Sequence, residues 1–211
     1  MKYISMLLVA GVMGASGQAL YELPFASRDN TLELTIENSS NLTAENVTVT
    51  AMDAPSWLRL EPGNRTIAQI PGKGNAIARF SFSVEKSAPV GPEHRFLIKV
   101  STASGMSRKK EILFSVAPPS SFELLQNYPN PFNPATTIEY QLPAESKVSV
   151  RVFDLLGREV ARLVDGQQEA GSHRITWNAG RQSSGMYVYE LVAEAPGEKQ
   201  VVIRRTMLLV K

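Results

Sequence analysis

A chain of 211 residues, 43% apolar and 8% aromatic, has material for one large domain or for two small ones of roughly 90–100 residues each. Its 22 basic and 20 acidic residues leave a formal charge of +2, and neither half carries an extended basic face, so electrostatics give no reason to propose nucleic acid as a partner. Cysteine is absent; this excludes a lipid-anchored lipoprotein and any disulfide staple, so stability has to come from packed cores.

The first 19 residues, MKYISMLLVAGVMGASGQA, carry a charge at Lys2, an apolar run from Ile4 to about Met13, and small residues at Gly17 and Ala19. That order is the pattern of a secretory signal peptide. The apolar run is roughly half of the ~20 residues a helix needs to cross a hydrocarbon core. Residues 1–19 are therefore expected to direct Sec export to the periplasm and to be removed beside Leu20. Beyond them the apolar period is two. Thr31-Leu32-Glu33-Leu34-Thr35-Ile36-Glu37 and Asn46-Val47-Thr48-Val49-Thr50-Ala51-Met52 alternate as half-buried strands do, and further strands are expected over 57–60, 76–84, 95–101 and 111–116. Glu61-Pro62-Gly63-Asn64, Pro71-Gly72-Lys73-Gly74-Asn75 and Val90-Gly91-Pro92 separate them as turns, because Gly tolerates positive φ and Pro presets its own. Short strands at this spacing predict an all-β fold, here an immunoglobulin-like β-sandwich over 20–117.

Ala117-Pro118-Pro119-Ser120-Ser121 cannot continue a ladder, which makes 118–121 a linker. A second immunoglobulin-like sandwich is expected over 122–211. Its strands fall at 136–142, with Ile138, Tyr140 and Leu142 inward, and at 147–153, with Val148, Val150 and Val152 inward. Four more follow at 159–164, 172–178, 185–193 and 199–210, with turns at Asp154-Leu155-Leu156-Gly157, Asp165-Gly166 and Ala195-Pro196-Gly197. Ahead of them, Pro129, Pro131 and Pro134 forbid helix and press each preceding residue into extended conformation. A stiff strap is expected, with Asn130 and Asn133 bonding neighbouring backbone and with Tyr128 and Phe132 packed on the sheet.

Five segments, QNYPNPFNPATTIEYQLP, VSVRVFDLLGREVARLV, EAGSHRITWNA, SSGMYVYELVA and RRTMLLVK, occur in that order, and together they resemble the type A C-terminal sorting domain of type IX secretion cargo over 122–211. The same stretch is similar to the immunoglobulin-like domain of the flagellar hook-capping protein FlgD; the Asn-Pro strap and the basic end favour sorting. The sorting resemblance implies a module that folds in the periplasm, is recognised by the outer-membrane translocon, and is cut off by a sortase-like surface protease. The cargo would then be secreted or attached to surface lipopolysaccharide. Sorting-motif positions map onto Pro129, Asn130, Pro131, Asp154, Gly157, Gly171, Ser184, Gly185, Tyr187 and Lys211, while Arg204 and Arg205 stand where many family members carry lysines.

Structural roles compete at each of these positions. Gly157, Gly171 and Gly185 are expected to serve turns of unusual φ, Asp154 to bond backbone within its turn, and Tyr187 and Trp177 to lie in the core. The last strand reads equally as an edge open to strand addition or as a core strand guarded by Arg204, Arg205 and Lys211. The chemical inventory is thin. His94 is expected in a loop and His173 at a strand start, no paired carboxylates stand out, and Ser183-Ser184-Gly185 lacks the strand-turn-helix setting of a nucleophile elbow. No catalytic residue, cofactor or metal site is expected. The sequons at Asn38, Asn41, Asn46 and Asn64 are expected to stay unmodified. The expected function is that of an exported, non-enzymatic surface or secreted protein with a sorting tail cut within 116–122. The alternatives are an adhesin or carbohydrate-binding module, for which Trp57 is expected to be too buried, and a FlgD-like scaffold.

Overall fold

The computed structural model describes residues 4–8, 12–13 and 19–211, with side chains from residue 20 onward. Of the expected export segment, residues 1–3, 9–11 and 14–18 lie outside the described residues. The described residues form strands and no α-helix, and they divide into two compact units, Met1–Ala117 and Pro118–Lys211.

The first unit contains Ile4–Leu8 (β1), Val12–Met13 (β2), Ala19–Leu23 (β3), Asn30–Asn38 (β4), Ala44–Met52 (β5), Leu58–Glu61 (β6), Asn64–Ile70 (β7), Asn75–Val84 (β8), His94–Ser101 (β9) and Ser107–Val116 (β10). One sheet runs β1-β4-β8-β6 and the other β2-β3-β10-β9-β5-β7. Neighbours are antiparallel except β3, which lies parallel to β10 with Leu20 opposite Leu113. The period-two pattern decides which side chains turn inward. Leu34 and Ile36 from β4, Val47 and Val49 from β5, Phe80 from β8 and Ile98 from β9 are fully buried in one core. Asn38, also buried, donates through Nδ2 to the carbonyls of Leu42 (2.7 Å), Ile70 (2.9 Å) and Pro71 (3.1 Å), and its Oδ1 accepts from Ser40. The first sequon asparagine is thus a stitch between two loops.

Two expectations for this unit need correction. His94 opens β9 instead of lying in the preceding loop, and its ring meets Trp57 edge-on at 4.9 Å. β7 was not anticipated, because Ile70 is its only buried residue and no alternation shows; the ladder with β5 holds it in place. Trp57 itself is buried, as expected.

The second unit contains Glu123–Leu124 (β11), Ala135–Leu142 (β12), Ser146–Phe153 (β13), Glu159–Gln168 (β14), Gly171–Asn178 (β15), Gly185–Glu194 (β16) and Val201–Leu209 (β17), in sheets ordered β11-β12-β15 and β14-β13-β16-β17. Ile138, Tyr140 and Leu142 face Val148, Val150 and Val152 across one core, and Leu191, Tyr189 and Leu209 close it. Burial pushes the Tyr140 hydroxyl up to about 12, against the opposing pull of its hydrogen bond to Gln168. The expected turn at Asp165-Gly166 is not there. β14 continues to Gln168, with Asp165 opposite Ser149 and Gly166 opposite Val148, because pairing with β13 outweighs the local turn preference.

Replacing a fully buried aromatic by alanine leaves a cavity. Phe80→Ala is expected to lower the stability of the first unit by roughly 3–5 kcal/mol. Urea unfolding of the full chain should show an earlier first-unit transition and an unmoved second-unit one; an unchanged pair of midpoints would contradict the core described above.

Candidate functional site

Of the residues singled out by the sequence, Pro129, Asn130 and Pro131 lie in the strap over residues 126–134 and Arg204, Arg205 and Lys211 in or just beyond the last strand, while Asp154, Gly157, Gly171, Gly185 and Tyr187 lie on other turns and strands of the second unit. In an antiparallel edge strand, alternate residues point their N–H and C=O groups away from the sheet. In β17 these outward groups include Thr206 and Leu208, with Val210 just beyond. The strap meets them one by one. Gln126 Nε2 donates to Thr206 O (2.8 Å), Asn130 Oδ1 accepts from Leu208 N (2.9 Å), Phe132 N donates to Leu208 O (2.9 Å) and Val210 N donates to Phe132 O (3.0 Å). The edge is closed over this stretch by a segment about 80 residues earlier in the chain.

A residue outside the motif positions holds the strap in place. Asn127 is buried; its Nδ2 donates to Pro129 O (3.0 Å) and Thr136 Oγ1 (2.9 Å), and its backbone N–H donates to the Tyr189 hydroxyl (2.9 Å). That hydroxyl donates in turn to Leu125 O (2.8 Å). The signal that would have found Asn127 is its place next to the proline run, where a short amide can replace backbone donors that proline lacks. Phe132 is buried against Trp177, but Tyr128 is 81% exposed, which corrects the expectation that both rings pin the strap. Asn130 reaches a distant strand, not its own neighbours.

The remaining motif residues have definite structural employment. Asp154 Oδ1 accepts from the N–H of Leu156 (2.9 Å) and Arg158 (3.0 Å), and its Oδ2 pairs with the Arg158 guanidinium (2.7 Å). Gly157 sits in that turn at φ 77°, a left-handed conformation that favours glycine. Gly171 and Gly185 open β15 and β16, also at positive φ. Tyr187 is buried edge-on to Trp177 and donates to Ser183 O (2.7 Å).

The basic end is not the uncompensated charge that its local sequence suggests. Arg204 Nε lies 2.5 Å from Glu190 Oε2 on the adjacent strand, and Arg151 holds the other oxygen of the same buried carboxylate at 2.6 Å. Arg205 donates to Leu124 O, and Lys211 donates through N to Ser184 Oγ (3.0 Å) and through Nζ to Gly180 O (2.9 Å). His173 stacks on Tyr140 at 5.3 Å. Among the described residues no group of three or more His, Asp or Glu side chains is placed to hold a metal ion.

Residues 126–204 match the family model described as "Secretion system C-terminal sorting domain". The match lies within the second unit and ends inside β17. No curated protein matches the chain. Among solved structures, the chain is similar over 99% of its length to dimeric latent PorU from Porphyromonas gingivalis, at 14% identity and a TM-score of 0.36, and it spans 20% of that protein. It is also similar to the Pseudomonas aeruginosa CupB2 chaperone, at 14% identity over 88% of this chain and 96% of that one, with a TM-score of 0.31. The E. coli chaperone DraB gives 15% identity over 95% of each chain and a TM-score of 0.33.

Two outcomes follow from this geometry. Asn127→Ala, which removes the side-chain hydrogen bonds to Pro129 O, Thr136 Oγ1 and Gln126 Nε2, of ~1 kcal/mol each, is expected to speed amide exchange at Leu208 and Val210 by roughly tenfold or more. Asn130→Ala should do so at Leu208 alone, and Val150 in the central strand should keep its protection in both. Unchanged exchange at Leu208 would show that the strap does not close the edge. The Asp154 carboxyl is held below the usual carboxylate range, first by the Arg158 N–H and then by the Arg158 guanidinium and the Leu156 N–H. A depressed folded value means the turn's support is present above the unfolded value of about 3.9 and is lost as pH falls through the folded one. The amide resonances of Leu156 and Arg158 should titrate together below about pH 4 and should stop doing so in Asp154→Asn.

Proposed function

We propose that this chain is an exported, non-enzymatic surface or secreted protein whose second unit addresses it to the type IX translocon of the outer membrane. The observation that carries the reading is the family match over 126–204, which joins the strap, the Asp154 turn, the Gly185 strand start and the first part of β17 in one ordered module. Sec export through residues 1–19, removal of the module within 116–122 by a sortase-like protease, and attachment of the first unit to lipopolysaccharide belong to the same proposal.

The geometry supports a rigid module, presented whole. Strand addition along 206–210 would first have to displace Gln126, Asn130 and Phe132, which already satisfy that edge. The first unit then serves as cargo. Two clefts on it, about 380 and 510 Å³, are lined by polar and small side chains, such as Thr43, Glu45 and Thr102 in one and Arg28, Arg59 and Glu61 in the other. Neither has an aromatic wall on which a sugar ring would stack, a third and smaller cleft carries Phe82 as its one aromatic, and Trp57 faces the core, so cargo is the better reading than a glycan platform.

The test expresses the full chain, with an epitope in the first unit, in a type IX competent bacterium and in the same host lacking the translocon. Protease-accessible epitope at the surface of the first host and periplasmic retention in the second is the expected pair. Retention in both hosts would overturn the reading.

A further inference from the structure

At one end of the β14-β13-β16-β17 sheet, large apolar side chains stand in water. Leu155 and Leu156, on the turn after β13, are 69% and 79% exposed, and Met186, Leu208 and Val210 are between 38% and 48% exposed. The topology brings them together. Met186 and Leu208 are cross-strand partners, and Phe153 pairs with Val188, so β16 begins beyond the end of β13, alongside the turn that carries the two leucines. Tyr187 and Tyr189 are buried in the core, which places Met186 and Leu208 on the opposite, outer face. Farther along that face the rows change to charge, Arg151–Glu190–Arg204, so the apolar patch is confined to its end.

The rim of that end is cationic. Lys211 reaches Gly180 O and no carboxylate, and Arg181 lies in the same loop with no ion pair among the described residues. The acid of the apolar turn, Asp154, is already engaged by Arg158, whose side chain remains 74% exposed. Isolated exposed apolar residues need no explanation, but a cluster of this kind marks a contact surface. The patch projects as a turn tip, not as a pocket, and the neighbouring backbone edge is taken by the strap, so only side chains are on offer.

We propose that this end of the second unit seats on an anionic lipid surface, with Leu155, Leu156 and Met186 entering the boundary between headgroups and acyl chains and with Arg181 and Lys211 meeting the headgroup charge. Charge complementarity selects the occupant. A projecting apolar tip inside a cationic rim is the arrangement that binds anionic bilayers, and its affinity depends on both parts. This goes beyond the sorting reading and stands or falls separately from it.

The chain has no cysteine, so a single introduced one can be labelled uniquely. Leu156→Cys and, as a control at the other end of the same face, Val202→Cys are each labelled on the full chain with an environment-sensitive fluorophore and mixed with vesicles. The Leu156 probe is expected to shift to the blue on phosphatidylglycerol vesicles, to be quenched by lipids spin-labelled near the headgroup, and to show binding on the order of tenfold weaker in Arg181→Glu/Lys211→Glu. Four results would overturn the proposal. They are no shift at Leu156; an equal shift on phosphatidylcholine; an equal shift at Val202, which would mean adsorption through another part of the chain; and a concentration-dependent shift without vesicles, which would make the occupant a second copy.

Discussion

Backbone satisfaction at a sheet edge is the constraint on which the second unit turns. A last strand leaves a row of outward N–H and C=O groups, and a unit built of strands, in a chain without cysteine, has few means of covering them. Here the cover is the proline-rich strap, held by Asn127 and by the Tyr189 hydroxyl, which joins the strap to the centre of the core. The strap, the core and the chain end therefore form one connected structure.

The outer face of the same sheet is organised by a second constraint. Glu190 is almost fully buried, and a carboxylate there is tolerable only because Arg151 and Arg204 both hold it. The arginine that looks like free terminal charge is spent on a neighbour in the sheet. The surface cations left without a carboxylate partner at this end are Arg181 of the Asn178–Gly185 loop and Lys211, near the exposed leucines. The division of the face into a charge-paired part and an apolar end follows from that pairing.

Much of the fold was legible because burial on one face imposes a period of two. Ile138, Tyr140 and Leu142, and likewise Val148, Val150 and Val152, face inward as their alternation indicates. Where alternation is weak, legibility fails. β7 has one buried residue and is held by its partner strand, and Asp165-Gly166, a good local turn, is drawn into β14 by the ladder with β13. Of the strap's two aromatics only Phe132 is buried, a distinction that rotational position in an extended segment decides and composition does not.

The sequence by itself determined the all-β class, the inward residues of the regular strands, the glycines that need positive φ, and the ordered motifs of the sorting module. All of these depend on residues near one another in the chain, where side-chain period and turn chemistry act directly. Tertiary structure alone decided that the strap closes the edge of β17, that Asn127 anchors it, and that Glu190 neutralises Arg204. Each of those contacts joins residues that are far apart in the chain or on different strands, and register, which sets who meets whom across a sheet, is a property of the assembled ladder.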